Sequence, residues 1–110
     1  MRGYSALIRQ VLTHIDNDLS SDLSLQKLAD IIGYNPSYLS ALFKKETGRT
    51  LTEYVTSKRI QYAVFLLNAT TMQIQIIASY CGIPDVCYFS KTFKKYMGMT
   101  PTEYREYVMR

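Results

Sequence analysis

The sequence predicts an all-α fold of seven helices, forming two helix-turn-helix subdomains joined by a long linker helix. Three observations carry this. Apolar residues recur at three- and four-residue steps almost throughout, and no segment alternates with period two for long. Three prolines and five glycines punctuate that pattern. The second half of the chain then repeats the first.

The elements follow in order. Ile8, Val11, Leu12, Ile15 and Leu19 share one face of an amphipathic helix over 4–19. Asp16, Asp18 and Asp22 gather at its end, where the helix dipole disfavours them; they mark an exit and repel phosphate. Ser24 caps a second helix carrying Leu25, Leu28, Ala29, Ile31 and Ile32, stopped by Gly33. Asn35-Pro36 supplies the N-cap and first residue of a third helix, with Leu39, Leu42 and Phe43 inward and Gly48 as its stop. Thr50-x-x-Glu53 is a capping box that opens a longer helix over 51–67. Two apolar faces are expected on it, Leu51, Val55, Tyr62 and Leu66 on one, Ile60, Ala63 and Leu67 on the other, so it is packed from two sides. Asn68 to Thr71 breaks it. Ile74, Ile77, Ala78 and Cys81 make a fifth helix ending at Gly82. Asp85 caps a sixth, with Phe89, Phe93 and Met97 inward and Gly98 as its stop. Thr100-Pro101-x-Glu103 opens a seventh carrying Tyr104, Tyr107 and Val108. The expected division is 1–50, a linker helix 51–67, and 68–110.

The repeat is specific. Leu28-Ala29-x-x-x-Gly33 returns 49 residues later as Ile77-Ala78-x-x-x-Gly82. The stretch from Tyr38 to Tyr54 returns 50 residues later from Tyr88 to Tyr104, with ten of seventeen positions identical. The change of offset puts one extra residue in the second turn. Each copy has a small residue (Ala29, Ala78) that lets the next helix approach closely. Each has a glycine (Gly33, Gly82) that permits positive φ, and an apolar anchor (Leu39, Phe89) on the following helix.

The anchored helix shows a polar stripe outward. It is Ser37, Ser40, Ala41 and Lys44 in the first copy, and Cys87, Ser90, Lys91 and Lys94 in the second. Short groups suit base edges in a major groove, and the lysines Lys44, Lys45, Lys94 and Lys95 suit phosphates. Alone, such lysines read as a solvated face; their return at the same place in both copies favours binding. A 17-residue linker helix spans about 25 Å at 1.5 Å per residue. With the width of the bundles added, two reading helices can meet major grooves about 34 Å apart.

Composition bounds the partners. The 110 residues carry 13 basic and 9 acidic groups, net +4, and 47% hydrophobic residues allow a real core. Residues 1–35 are net −1 and residues 36–110 net +5, so a bound polyanion belongs on the later part. The longest apolar runs, such as Ala63 to Leu67, fall far short of the roughly 20 residues that span a bilayer. No secretory signal opens the chain. Cys81 and Cys87 read as reduced thiols of a cytoplasmic protein. His14 is the only histidine and is remote in sequence from both, so neither a metal nor a cofactor is expected.

The end of the chain carries a strong resemblance. Ile74-x-x-Ile77-Ala78-x-x-x-Gly82, then Asp85-x-x-Tyr88-Phe89-Ser90-Lys91-x-Phe93-Lys94-Lys95-x-x-Gly98-Met99-Thr100-Pro101-x-Glu103-Tyr104-Arg105, resembles the signature of the AraC/XylS family of bacterial transcription regulators. Arg59-Ile60-x-x-Ala63-x-x-Leu66-Leu67 resembles the family's linker helix, and the likeness covers residues 6–108. It implies a DNA-binding domain that is not an enzyme, with two reading helices in successive major grooves. Base-reading positions implied for the first are Ser37, Ser40 and Ala41; for the second, Val86, Cys87, Ser90 and Lys91. Implied partners are double-stranded DNA, RNA polymerase, and an N-terminal sensor, dimerisation or receiver domain that these 110 residues do not contain. The second half is particularly similar to output domains fused to response-regulator receivers. Two departures stand out: Ala41 where many members carry arginine, and Ile83 where an aromatic usually follows the glycine.

Two rival classes make different demands. A helical protein-interaction module needs an exposed apolar groove in place of basic stripes. A DNA-repair methyltransferase needs an activated cysteine beside a histidine and a carboxylate, and the sole histidine lies in the first helix. Among single residues, Tyr34, Tyr54 and Tyr104 read as core or interface tyrosines with a wet hydroxyl. Arg59 reads as structural, Arg105 as balanced between structure and phosphate, and Cys87 as a small residue in place of serine.

Overall fold

The computed structural model describes residues 3–109, and among them every regular element is a helix. In chain order these are α1 (Ala6–Asn17), α2 (Leu25–Ile32), α3 (Pro36–Thr47), α4 (Leu51–Ala69), α5 (Ile74–Tyr80), α6 (Val86–Met97) and α7 (Pro101–Val108). The chain divides into two compact units, residues 1–56 and 57–110, and the division falls within α4.

The first unit is built on α1, α2, α3 and the start of α4. Leu7, Ile8, Val11 and Ile15 of α1 meet Leu28 and Ala29 of α2, Leu39 and Phe43 of α3, and Leu51 and Val55 of α4. Helix α1 is shorter than the apolar spacing suggested. Ser5 caps it by accepting from the Ile8 amide, and Leu19 packs against the core from beyond its end. The Ser5 amide donates to Glu46 at 2.8 Å, tying the start of α1 to α3. Ile31 turns outward, 50% exposed, because Leu28 and Ala29 already fill the α2 contact.

The second unit repeats this plan with α5, α6, α7 and the remainder of α4. Ile60, Ala63, Leu66 and Leu67 close over Ile77, Ala78, Cys81, Ile83, Phe89 and Phe93. Burying each large aliphatic or aromatic side chain contributes about 1.5–3 kcal/mol. Cys81 is a fully buried core residue, and desolvation pushes its thiol up to about 11.

Three further expectations change here. The two-faced reading of α4 gives way to a division along its length. Leu51 and Val55 serve the first core, and Leu66 joins Ile60, Ala63 and Leu67 in the second. Tyr62 belongs to neither; it is exposed and stacks on Phe65 at 6.2 Å. Met97 of α6 is 36% exposed, since Phe89, Phe93 and the half-hidden Tyr104 complete that core. Tyr107 and Val108 are exposed as well, because α7 contacts the core through Pro101 and Tyr104 in its first turn.

Candidate nucleic-acid interface

The two candidate reading helices, α3 and α6, are started by side chains that the sequence places at the N-cap. Asn35 Oδ1 accepts from the Tyr38 amide at 3.2 Å. Asp85 Oδ1 accepts from the Cys87 and Tyr88 amides at 3.0 and 3.1 Å. Upstream, Gly33 adopts φ +84 and its N–H donates to the Ala29 carbonyl at 2.8 Å. Gly82 adopts φ +87 and donates to Ser79 at 3.1 Å. A residue with a Cβ resists this left-handed conformation. Downstream, both capping boxes form. Thr50 and Glu53 exchange bonds of 2.9 and 3.1 Å, Thr100 and Glu103 bonds of 2.8 and 3.1 Å. The bonds from threonine hold both exposed carboxyls below the usual glutamate range.

Each reading helix is held from beneath by the same aromatic pair. Phe43 meets Tyr54 edge-on at 5.5 Å and 80°, and Phe93 meets Tyr104 edge-on at 5.8 Å and 67°. With Leu39 and Phe43, or Phe89 and Phe93, directed inward, the opposite face of the helix is left outward.

On α3, Ser37, Ser40, Ala41, Lys44 and Lys45 are all exposed. On α6, Val86, Cys87, Lys91, Lys94 and Lys95 are exposed and Ser90 is half-buried. The expected positions therefore lie on one open face within each unit. The two surfaces differ in charge. Residues 1–56 carry six basic and six acidic side chains, net zero; residues 57–110 carry seven and three, net +4. At the centre of the stripe the first unit offers Ala41 and the second offers Lys91. The Cys87 thiol is exposed in the first turn of α6, in the position of a small polar residue.

Other candidates resolve differently. Arg105 is structural: its guanidinium donates to the Met72 carbonyl and, at 3.2 Å, to the Thr70 carbonyl. It thereby fixes the connection between α4 and α5. The Tyr104 hydroxyl accepts from Asn68 at 3.2 Å. Tyr34 is 47% exposed and stacks on Tyr38 at 6.0 Å and 17°, so it lies outside the core. The stripe as read from sequence omits Tyr38 and Tyr88, which are 54% and 61% exposed. Their return in both copies was the available signal.

Among the described residues no helix is long and apolar enough to cross a membrane, and no cluster of histidine, cysteine, aspartate or glutamate could hold a metal ion.

Comparison with known proteins fits this geometry. A family described as "Helix-turn-helix domain" matches residues 28–107. The transcriptional regulatory protein YesN of Bacillus subtilis is 39% identical over 105 residues, covering 92% of this chain and 28% of its own length. The xylose operon regulatory protein of Escherichia coli is 33% identical over 97 residues, covering 88% of this chain and 25% of its own length. This chain thus spans only about a quarter of these two relatives. Among solved structures, the C-terminal domain of AraT, a response regulator from Geobacillus stearothermophilus, is 34% identical with a TM-score of 0.93. That match covers 96% of this chain and 88% of the AraT domain. The DNA-binding domain of AdpA, solved in complex with a target DNA, has the same fold. Its TM-score is 0.88 at 19% identity, over 94% of this chain and 93% of that one. Two copies of one capped, glycine-turned helix pair, matched over most of their length by this family, make the chain a helix-turn-helix domain of the AraC/XylS family of transcription regulators.

Proposed function

We propose that each unit reads DNA through the second helix of its helix-turn-helix pair, α3 in the first and α6 in the second, so that one chain engages two successive major grooves. The observation that carries this is the outward stripe, present in both copies and ending in lysines at the same register. Ser37, Ser40 and Ala41 on α3, and Val86, Cys87, Ser90 and Lys91 on α6, meet base edges. Lys44, Lys45, Lys94 and Lys95 hold phosphates. The AdpA domain, of the same fold, was solved with DNA bound, which supports this use of the scaffold.

The mechanism is binding and positioning, with no bond made or broken. Lysines displace condensed counterions, and the capped helices present short side chains to the groove floor. The two reading helices belong to an internal repeat of one chain, so no two-fold axis is needed and the expected site is asymmetric and filled by one chain. If about six phosphates are neutralised, log K falls against log salt with a slope near −5. Selection from a random DNA pool, followed by titration of the selected duplex over a range of salt, tests this. A selected site of about 20 base pairs, with half-sites about 10 base pairs apart, is expected. A flat salt response, or a palindrome that requires two chains, overturns it.

Because the relatives extend well beyond the matched region, the chain acts as the output module of a longer regulator. Its other domain senses a ligand, dimerises or receives a phosphoryl group. The AraT likeness favours the last of these. Recruitment of RNA polymerase to the bound promoter completes the proposed role.

A further inference from the structure

The internal repeat contains its own record of which side chains are held in place by something other than folding. Of the ten identities between 38–54 and 88–104, structure accounts for five pairs. Phe43 and Phe93 are core, and Tyr54 and Tyr104 pack edge-on against them. Gly48 and Gly98 adopt positive φ at helix ends, and Thr50–Glu53 and Thr100–Glu103 form the boxes. Ser40 and Ser90, with the paired lysines, belong to the stripe, and Thr52 and Thr102 lie off the reading helices. Tyr38 and Tyr88 are left.

Both are mostly exposed, at 54% and 61%. Both occupy the third helical position, where the N-cap has already taken the backbone amide. Among the described residues neither phenol hydroxyl has a hydrogen-bond partner. Their surroundings differ, since Tyr38 stacks on Tyr34 while the corresponding turn of the second unit carries the buried Ile83. Packing therefore does not explain the shared tyrosine. Helical geometry places Tyr38 on the same flank as Lys45, seven residues on, about 10 Å along the helix and within about 20° around it. Tyr88 and Lys95 have the same relation. That flank borders the base-reading stripe of Ser37, Ser40 and Ala41.

We infer that Tyr38 and Tyr88 are DNA-backbone ligands, each donating its phenol O–H to a phosphate oxygen on the groove wall that Lys45 or Lys95 also faces. This rests on the DNA-reading role proposed for α3 and α6. A phenol is neutral, so it adds a directional bond without releasing a counterion. These contacts fix the entry of each helix and are blind to sequence.

The test compares Tyr38→Phe, Tyr88→Phe and the double variant with wild type on the selected duplex and on a scrambled one, across a salt series. Each phenylalanine is expected to weaken binding about tenfold on both duplexes. The preferred sequence and the salt slope should stay unchanged. Full affinity in the phenylalanine variants, with loss only in Tyr38→Ala and Tyr88→Ala, would assign the rings to packing and overturn the inference. So would a change in base preference. A wild-type protein whose binding ignores salt would instead sink the DNA-reading role itself, and this inference with it.

Discussion

The two units share a scaffold and differ in what they display on it. Each turns at a positive-φ glycine, starts its reading helix with an Asn or Asp cap, seats that helix on a Phe–Tyr pair and follows it with a capping box. Yet the first is electrically neutral and the second carries +4, and Ala41 in one stands where Lys91 stands in the other. The repeat keeps the turn, the caps and the aromatic seat that folding needs, together with the serine, the tyrosine and the paired lysines of the exposed face; what diverges at the centre of that face is Ala41 against Lys91. A duplicated scaffold leaves its exposed stripe free to differ, because a surface substitution away from caps and packing costs less than about 0.5 kcal/mol.

The largest test of this comparison cuts the shared scaffold. Phe43→Ala and Phe93→Ala each remove a fully buried ring and should cost about 3–5 kcal/mol of stability. Melting curves should give similar losses for both. DNA affinity should fall further for Phe93→Ala, whose unit carries the charge. Equal losses of affinity would contradict the inequality.

Next is the proposed reading residue that only the second unit possesses. Lys91→Ala should cost about 1–3 kcal/mol of binding and relax preference at one or two base pairs, scored by repeating the selection. The half-site under α6 should have the higher information content in the wild-type selection, because the hydroxyls of Ser37 and Ser40 discriminate weakly. Equal content in both halves would break the comparison.

The lysines common to both units sharpen it from the other side. Lys44→Ala and Lys94→Ala should each weaken all sequences alike and flatten the salt slope by about 0.9. A change of preferred sequence in either variant would move that lysine from phosphate to base.

The smallest effect is one the two units should share. Glu53 and Glu103 are acidified by accepting bonds from Thr50 and Thr100. A carboxyl with a folded pKa below its unfolded value stabilises the fold above the unfolded value and loses that contribution as pH falls through the folded one. Both boxes should therefore weaken below about pH 4.5, near the unfolded glutamate value. Glu53→Gln and Glu103→Gln should blunt the acid dependence of melting equally. A response confined to one variant would show that the boxes are not equivalent.

Much of this protein was legible in the sequence because its determinants are local. A cap, a positive-φ glycine and a capping box each act over a few residues, so Asn35, Asp85, Gly33, Gly82, Thr50 and Thr100 announced their roles by type and spacing. The repeat raised these signals from separate hints to one pattern, and it marked the exposed stripe as well. What the sequence could not decide were choices among apolar or basic residues that more than one surroundings would accept. Leu66 and Tyr62 share a helical face with Leu51 and Val55, yet α4 changes cores along its length, so Leu66 is buried in the second core and Tyr62 is left outside. Met97, Tyr107 and Val108 fit an apolar period but arrive after Phe89, Phe93 and Tyr104 have filled the core. Arg105 could have faced phosphate; the carbonyls of Thr70 and Met72, brought to it from more than thirty residues away, claimed it for the fold. Local chemistry set where helices begin and end, while only tertiary packing decided which side chains were left exposed.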